Sequence, residues 1–132
     1  MTEQGKFLLD THAAIWAAEG DSRLGDNART HLLSAKHGNV YISGITLLEI
    51  AMLIKKERLQ INTNTTTYLN RLTNLYPAIP ITPGIATIAM DLILPQGDPF
   101  DRVIVATAQH QALILITKDT HITNSNLLHI IW

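Results

Sequence analysis

The chain has 132 residues, no cysteine and a formal net charge of −1. This length fits one domain, so we expect residues 1–132 to fold as a single unit. The lack of cysteine excludes a disulfide framework, thiolate-bound zinc and iron–sulfur clusters. The near-neutral charge neither indicates nor excludes a nucleic-acid binder. Because there is no export signal and no long apolar run, we expect a cytoplasmic protein without a membrane partner.

In the first half of the chain, short apolar runs alternate with segments of helical spacing. Strands are predicted over residues 6–9 and 39–43, which are apolar and short. Helices are predicted over residues 11–19, 26–36 and 45–56, where apolar residues recur at helical intervals.

The second half continues this alternation after a polar loop over residues 62–67. The remaining predicted elements, in chain order, are a helix over 68–76, a short or edge strand over 78–81, a helix over 84–94, a turn over 95–97, a helix over 98–112, and strands over 113–117 and 128–132. Prolines around the segment 78–81 restrict it to a sheet edge.

Continuously apolar strands that alternate with helices are typical of a parallel sheet covered on both faces. The sequence therefore predicts the α/β class, with a three-layer sandwich in which helices flank a mostly parallel central sheet. In such sheets, ligands bind beyond the carboxyl ends of the strands.

The stretch GDPFDRVIVATAQHQ (97–111) has two aspartates before a small, apolar run. Asp98 suits the N-cap of a helix, Pro99 its first position and Asp101 its first turn. Capping explains Asp98 fully. It explains Asp101 less well, because Asp101 abuts an apolar face, and a chemical role remains open for it.

Three further acids accompany apolar segments. Asp10 follows the first predicted strand, and Asp119 follows the strand 113–117 by one residue; each also suits an N-cap or turn. Glu49 lies in a helix that is apolar nearly all round, where an ionised carboxylate needs a buried arginine or a metal ion as its partner. Alternatively, Glu49 lies on a narrow solvent-facing stripe with Thr46 and Lys56.

If these four acids converge, their charges require a cation. Oxygen ligands without cysteine or paired histidines suit Mg²⁺ or Mn²⁺ rather than zinc. Such a site can orient a phosphodiester, help to generate hydroxide and neutralise the leaving oxygen. We therefore expect metal-assisted hydrolysis of a phosphodiester.

Four segments in this order resemble the PIN-domain nucleases, and within them the VapC-like toxins of type II toxin–antitoxin pairs. They are LLDTHAAIW (8–16), VYISGITLLEIAMLIKKERL (40–59), GDPFDRVIVATA (97–108) and LITKDTHI (115–122). The resemblance implies an endoribonuclease that depends on Mg²⁺ or Mn²⁺ and cleaves structured RNA such as transfer or ribosomal RNA. It also implies a homodimer and a cognate VapB-like antitoxin that occludes the site.

The same resemblance assigns roles to particular residues. The catalytic and metal-binding set is Asp10, Glu49, Asp101 and Asp119. Thr11 and Ser43 match positions where small hydroxyl residues support the site, and Asp98 is kept as a helix cap or supporting residue.

Five basic residues lie near these acids or at the end of the third helix, and each has a solvent-facing alternative to an RNA contact. They are Lys55, Lys56, Arg58, Arg102 and Lys118. Two other functions remain open: a housekeeping PIN nuclease for RNA processing or DNA, and a non-enzymatic, receiver-like module that binds Mg²⁺.

Overall fold

The computed structural model describes residues 5–35, 38–94 and 98–132. Its strands are β1 (Phe7–Leu9), β2 (Val40–Ser43), β3 (Ala78–Ile79), β4 (Ile114–Ile116) and β5 (Ile130–Ile131). Its helices are α1 (Thr11–Glu19), α2 (Asp26–Ser34), α3 (Gly44–Lys55), α4 (Thr65–Leu75), α5 (Pro83–Asp91), α6 (Pro99–Gln111) and α7 (Thr120–Asn124).

The strands form one sheet in the order β3-β2-β1-β4-β5, and each described pairing is parallel. The central strand β1 pairs Leu9 with Ile42 of β2 and with Ile116 of β4. These three strands therefore end at the same edge of the sheet, and the residues that follow them meet there. The parallel architecture predicted from the sequence is confirmed.

Both faces of the sheet are covered, as the continuously apolar strands predict. Phe7 and Leu9 pack in one hydrophobic cluster with residues of α1, α3 and α4. Leu8, whose side chain points to the opposite face, packs with Ile104 and Val105 of α6. The result is the predicted three-layer sandwich.

Polar residues at the sheet edge begin several helices. Asp10 caps α1 through the N–H of Ala13, and Ser43 caps α3 through the N–H of Ile45. Gly20 ends α1 with a φ of 63°, a left-handed conformation that glycine adopts without steric cost. Because the capping residues Asp10 and Ser43 lie at the junction of a strand and a helix, these connections are short. They bring side chains from both elements to one edge.

Several predicted elements are shorter in the structure; the helix predicted over 84–94, for example, ends at Asp91. Two further segments differ from the sequence-based prediction. Helix α4 begins at Thr65, inside the predicted loop, because the Asn64 side chain accepts from the N–H of Thr67 and caps it. Residues 120–124 form the short helix α7, which the sequence did not predict. The turn predicted over 95–97 lies outside the described residues. Within the described ranges, no helix is both long and apolar enough to cross a membrane.

Candidate active site

The four acids singled out from the sequence line one pocket of about 640 Å³. They come from four places in the fold: Asp10 after β1, Glu49 on α3, Asp101 in the first turn of α6, and Asp119 just before α7. Asp98, the N-cap of α6, lines the same pocket. The chain thus brings together the acids that its sequence singled out.

Asp10 is fixed by both of its carboxylate oxygens. Its Oδ1 accepts from the backbone N–H of Ala13 at 2.8 Å, and its Oδ2 accepts from the hydroxyl of Thr117. Its own N–H donates to the carbonyl of Ile116 at 3.1 Å, which ties it to β4. The capping role and the site role therefore coexist in one side chain.

Glu49 is held by a buried hydroxyl. The Oγ1 of Thr11, a residue only 2% exposed, donates to Glu49 Oε1 at 2.6 Å. The same hydroxyl lies 3.1 Å from Oγ1 of Thr46, which is also buried. Glu49 therefore turns inward to the pocket, and the supporting role expected of Thr11 has a geometric basis.

Asp98 and Asp101 divide the two roles considered for the start of α6. Asp98 accepts from the N–H of Phe100 at 2.9 Å and begins the helix. Asp101 receives no hydrogen bond from the described residues, although its side chain is half-buried. A carboxylate that faces a pocket without a donor is the group there in greatest need of a cation.

Asp119 is positioned by its own helix and by β4. Its Oδ1 accepts from the N–H of Ile122 at 3.0 Å, so it caps α7. Its N–H donates to Thr117 Oγ1 at 3.1 Å. Thr117 therefore holds both Asp10 and Asp119 in place through a single buried hydroxyl.

The electrostatics of the pocket reflect burial and crowding of like charges. The pKa of Asp101 rises to about 7, chiefly through burial and then through the nearby carboxylates of Asp98, Asp119, Glu49 and Asp10, in that order of importance. Burial also raises the pKa of Asp10 and of Glu49, and hydrogen bonds from the two threonines oppose this rise. The site thus concentrates negative charge that water does not fully stabilise.

Other sequence-predicted residues take different positions. Ser43 is fully buried and caps α3, and it is not among the residues that line the pocket. Lys55 and Lys56 are exposed at the end of α3, and Arg58 lines an adjoining groove. Lys118 lines the pocket itself.

Arg102 differs from its sequence-based interpretation as an RNA contact. Its guanidinium donates to the carbonyls of Ala89 at 3.0 Å, Leu92 at 2.9 Å and Leu94 at 3.5 Å. Unpaired carbonyls at a helix end attract a cation, so Arg102 closes the end of α5 and is not among the residues that line the pocket.

The residues of this region that were not identified from the sequence include Thr117, Arg23 and Trp132. Thr117 lies between β4 and Asp119. A hydroxyl residue directly after a strand was the signal that could have identified it. Arg23 and Trp132 line the pocket beside Trp16. Neither carried a local signal, because their place depends on how distant segments pack.

The side chains of the pocket offer oxygen donors to a divalent metal ion. In ranges 5–35, 38–94 and 98–132, no three acidic or histidine side chains are close enough to hold one ion directly. The pocket does offer several carboxylates, and Mg²⁺ commonly keeps most of its waters while it binds one or two. The residues therefore fit a hydrated ion.

The chain resembles known proteins of one family over most of its length. The PIN domain family model matches residues 7–125, a span that contains all four acids. The chain is 34% identical over 115 residues, 85% of each chain, to Ribonuclease VapC22 of Mycobacterium tuberculosis.

Two solved structures share the fold. FitAcB from Neisseria gonorrhoeae has a TM-score of 0.67 at 21% identity, with 96% of both chains covered. A toxin-antitoxin complex from Klebsiella pneumoniae has a TM-score of 0.66 at 22% identity, covering 96% of this chain and 97% of that one. With the family match extending over most of its length, the chain belongs to the PIN-domain family.

Proposed function

We propose that this protein is a metal-dependent endoribonuclease and the toxin of a toxin–antitoxin pair, hydrolysing RNA phosphodiesters at the carboxylate pocket. The observation that carries the proposal is the meeting of Asp10, Glu49, Asp101 and Asp119 in one pocket, where Asp101 has no hydrogen-bond donor among the described residues. Membership of the PIN-domain family argues against the receiver-like alternative.

Mg²⁺ or Mn²⁺ bound there would supply Lewis-acid activation of the phosphodiester and of water. The protein's own contribution is to hold the carboxylates in place. Thr11 orients Glu49, and Thr117 orients Asp10. Asp119 is fixed by the backbone of α7, whereas Asp101 accepts no hydrogen bond from the residues that the structure describes. Such positioning reduces the reorganisation needed when charge develops on the phosphate.

The toxin role draws on the relatives. The curated relative is named a ribonuclease, and one structural neighbour is a toxin-antitoxin complex. We therefore propose structured RNA, such as transfer or ribosomal RNA, as the substrate and a VapB-like antitoxin as the partner that covers the pocket. A homodimer remains part of the proposal.

The nuclease is tested with the purified chain and end-labelled structured RNAs in Mg²⁺, Mn²⁺ or EDTA. We expect cleavage that EDTA abolishes and that Asp10→Asn lowers at least about a hundredfold, because asparagine keeps the side-chain size and removes the charge. The control Asp91→Asn removes an exposed carboxylate of α5 that does not line the pocket, and should cleave normally. Equal cleavage by wild type and Asp10→Asn would exclude this site.

The toxin role has a separate test. Expression of the wild type in bacteria should arrest growth, and co-expression of the antitoxin should restore it. Cleavage in vitro together with harmless expression would instead favour a housekeeping PIN nuclease.

A further inference from the structure

Two cations lie against one indole ring at the side of the carboxylate pocket. The guanidinium carbon of Arg23 is 5.1 Å from the ring centroid of Trp16, and the ammonium nitrogen of Lys118 is 4.8 Å from it. Trp16 is only 5% exposed, so the ring is a fixed platform. Both distances allow a cation–π attraction, and both cations line the carboxylate pocket.

Arg23 is anchored along one edge of its guanidinium. Its Nε and Nη2 donate to the two oxygens of Asp21 at 3.1 and 2.8 Å, and these hydrogen bonds lower the pKa of Asp21 to about 2. Its Nη1 makes no hydrogen bond to the described residues. Because the side chain is 66% exposed, that second edge remains accessible to a ligand.

Lys118 connects this group to the carboxylates. It lies between Thr117, which holds Asp10, and Asp119. It is exposed, it lines the pocket, and it makes no ion pair within the part of the chain that the structure describes. The pocket therefore has an acidic side at the strand ends and a cationic side at Trp16.

We propose that Arg23 and Lys118, held on Trp16, bind a backbone phosphate of the RNA strand next to the phosphodiester at the carboxylates. The proposal rests on the function proposed above. A nucleic-acid strand carries a phosphate at every nucleotide, so one strand can place one phosphate at each side of the pocket. An isolated carboxylate of a protein partner would match the cationic side alone. An RNA strand offers a second phosphate, which the divalent cation proposed at the carboxylates would neutralise, and this makes RNA the better occupant.

The test measures the binding of mixed-sequence, single-stranded RNA oligonucleotides by fluorescence anisotropy over a series of salt concentrations. All proteins carry Asp101→Asn to prevent cleavage and are measured in Mg²⁺. Arg23→Gln, Lys118→Gln and the double variant are compared with Arg71→Gln, which removes a charge that is also exposed but lies on α4 and does not line the pocket. Thermal denaturation checks that each variant is folded.

We expect each pocket substitution to weaken RNA binding about 3- to 10-fold and to lower the slope of log affinity against log salt by about 0.7 per lost contact. Arg71→Gln should leave affinity and slope unchanged. The proposal would be overturned if the double variant bound RNA with unchanged affinity, or if Arg71→Gln lost as much affinity as the pocket variants. It would also be overturned if none of the proteins bound RNA. A loss of affinity for an acidic peptide that exceeds the loss for RNA would overturn it as well, and would indicate a protein partner.

The cleavage assay with otherwise unmodified protein separates this inference from the proposed function. If the wild type does not cleave RNA but Arg23→Gln and Lys118→Gln weaken binding as expected, the phosphate site stands and the nuclease does not. If the wild type cleaves and the double variant binds RNA normally, the nuclease stands and the phosphate site does not.

Discussion

In the absence of metal, removing the charge of Asp101 should stabilise the protein. Its pKa rises from an ordinary value of 3.8 to about 7, chiefly through burial and then through the other carboxylates. Between these values the folded state binds more protons than the unfolded state, so the free energy of unfolding falls as the pH rises through this window. Asparagine at this position is neutral at every pH, so the stability of Asp101→Asn does not fall in this window.

The size of the effect follows from this difference in pKa. If the carboxyl group were fully shielded from solvent, the pKa difference would lower the free energy of unfolding by about 4 kcal/mol. Because Asp101 is half-exposed, solvent screening reduces the figure to about 1–2 kcal/mol. We expect the free energy of unfolding of Asp101→Asn to exceed that of the wild type by this amount at pH 8. At pH 4 the two proteins should be equally stable.

Urea denaturation in EDTA at several pH values measures this difference, with Asp91→Asn as the matched control for the loss of an exposed charge. Addition of Mg²⁺ should raise the stability of the wild type at pH 8 more than that of Asp101→Asn. A difference that does not change with pH, or a wild type that is the more stable protein at pH 8 in EDTA, would refute the reasoning.

Three further substitutions test the supporting contacts. Thr117→Val keeps the side-chain volume but removes the hydroxyl that holds Asp10, so urea denaturation at pH 7 should show a loss of about 2–4 kcal/mol; an unchanged midpoint would mean that this bond contributes nothing. Arg102→Gln should cost about 1–3 kcal/mol in the same assay through carbonyls left unpaired at the end of α5, and a neutral result would show that water replaces the guanidinium. Gly25→Ala would place a Cβ 2.6 Å from the backbone carbonyl carbon of Trp132. We expect thermal denaturation to show a loss of about 1–3 kcal/mol in stability. Unaltered stability would show that Trp132 moves aside without cost.

Much of the fold could be predicted because its signals are local. The apolar runs before Asp10 and before Thr117 indicate buried strands, and helical spacing indicates α1, α3 and α6. The start of α4 was missed because its first turn consists of threonines, which favour loops by composition. The short helix α7 was missed because an aspartate followed by polar residues is equally typical of a turn.

The acids of the site could be predicted for a different reason. Parallel strands place their carboxyl ends together, so Asp10 and Asp119, which follow separate strands, converge by topology. Glu49 and Asp101 lie on helices and were singled out by their apolar neighbours. The partners of those acids depend on packing instead. Thr117 and Asp10 are separated by 107 positions in the sequence, and Arg23 and Lys118 come to the same pocket because both lie against Trp16. No periodicity encodes such meetings.

The protein has two tryptophans, and both line the carboxylate pocket, with their rings 5.9 Å apart at an edge-on angle. When tryptophan is excited selectively, the emission of the unlabelled protein therefore originates from the walls of its candidate active site. Any cation, nucleic-acid strand or partner that enters the pocket changes the surroundings of these rings. The molecule thus carries its own optical reporter, and a titration needs no added dye.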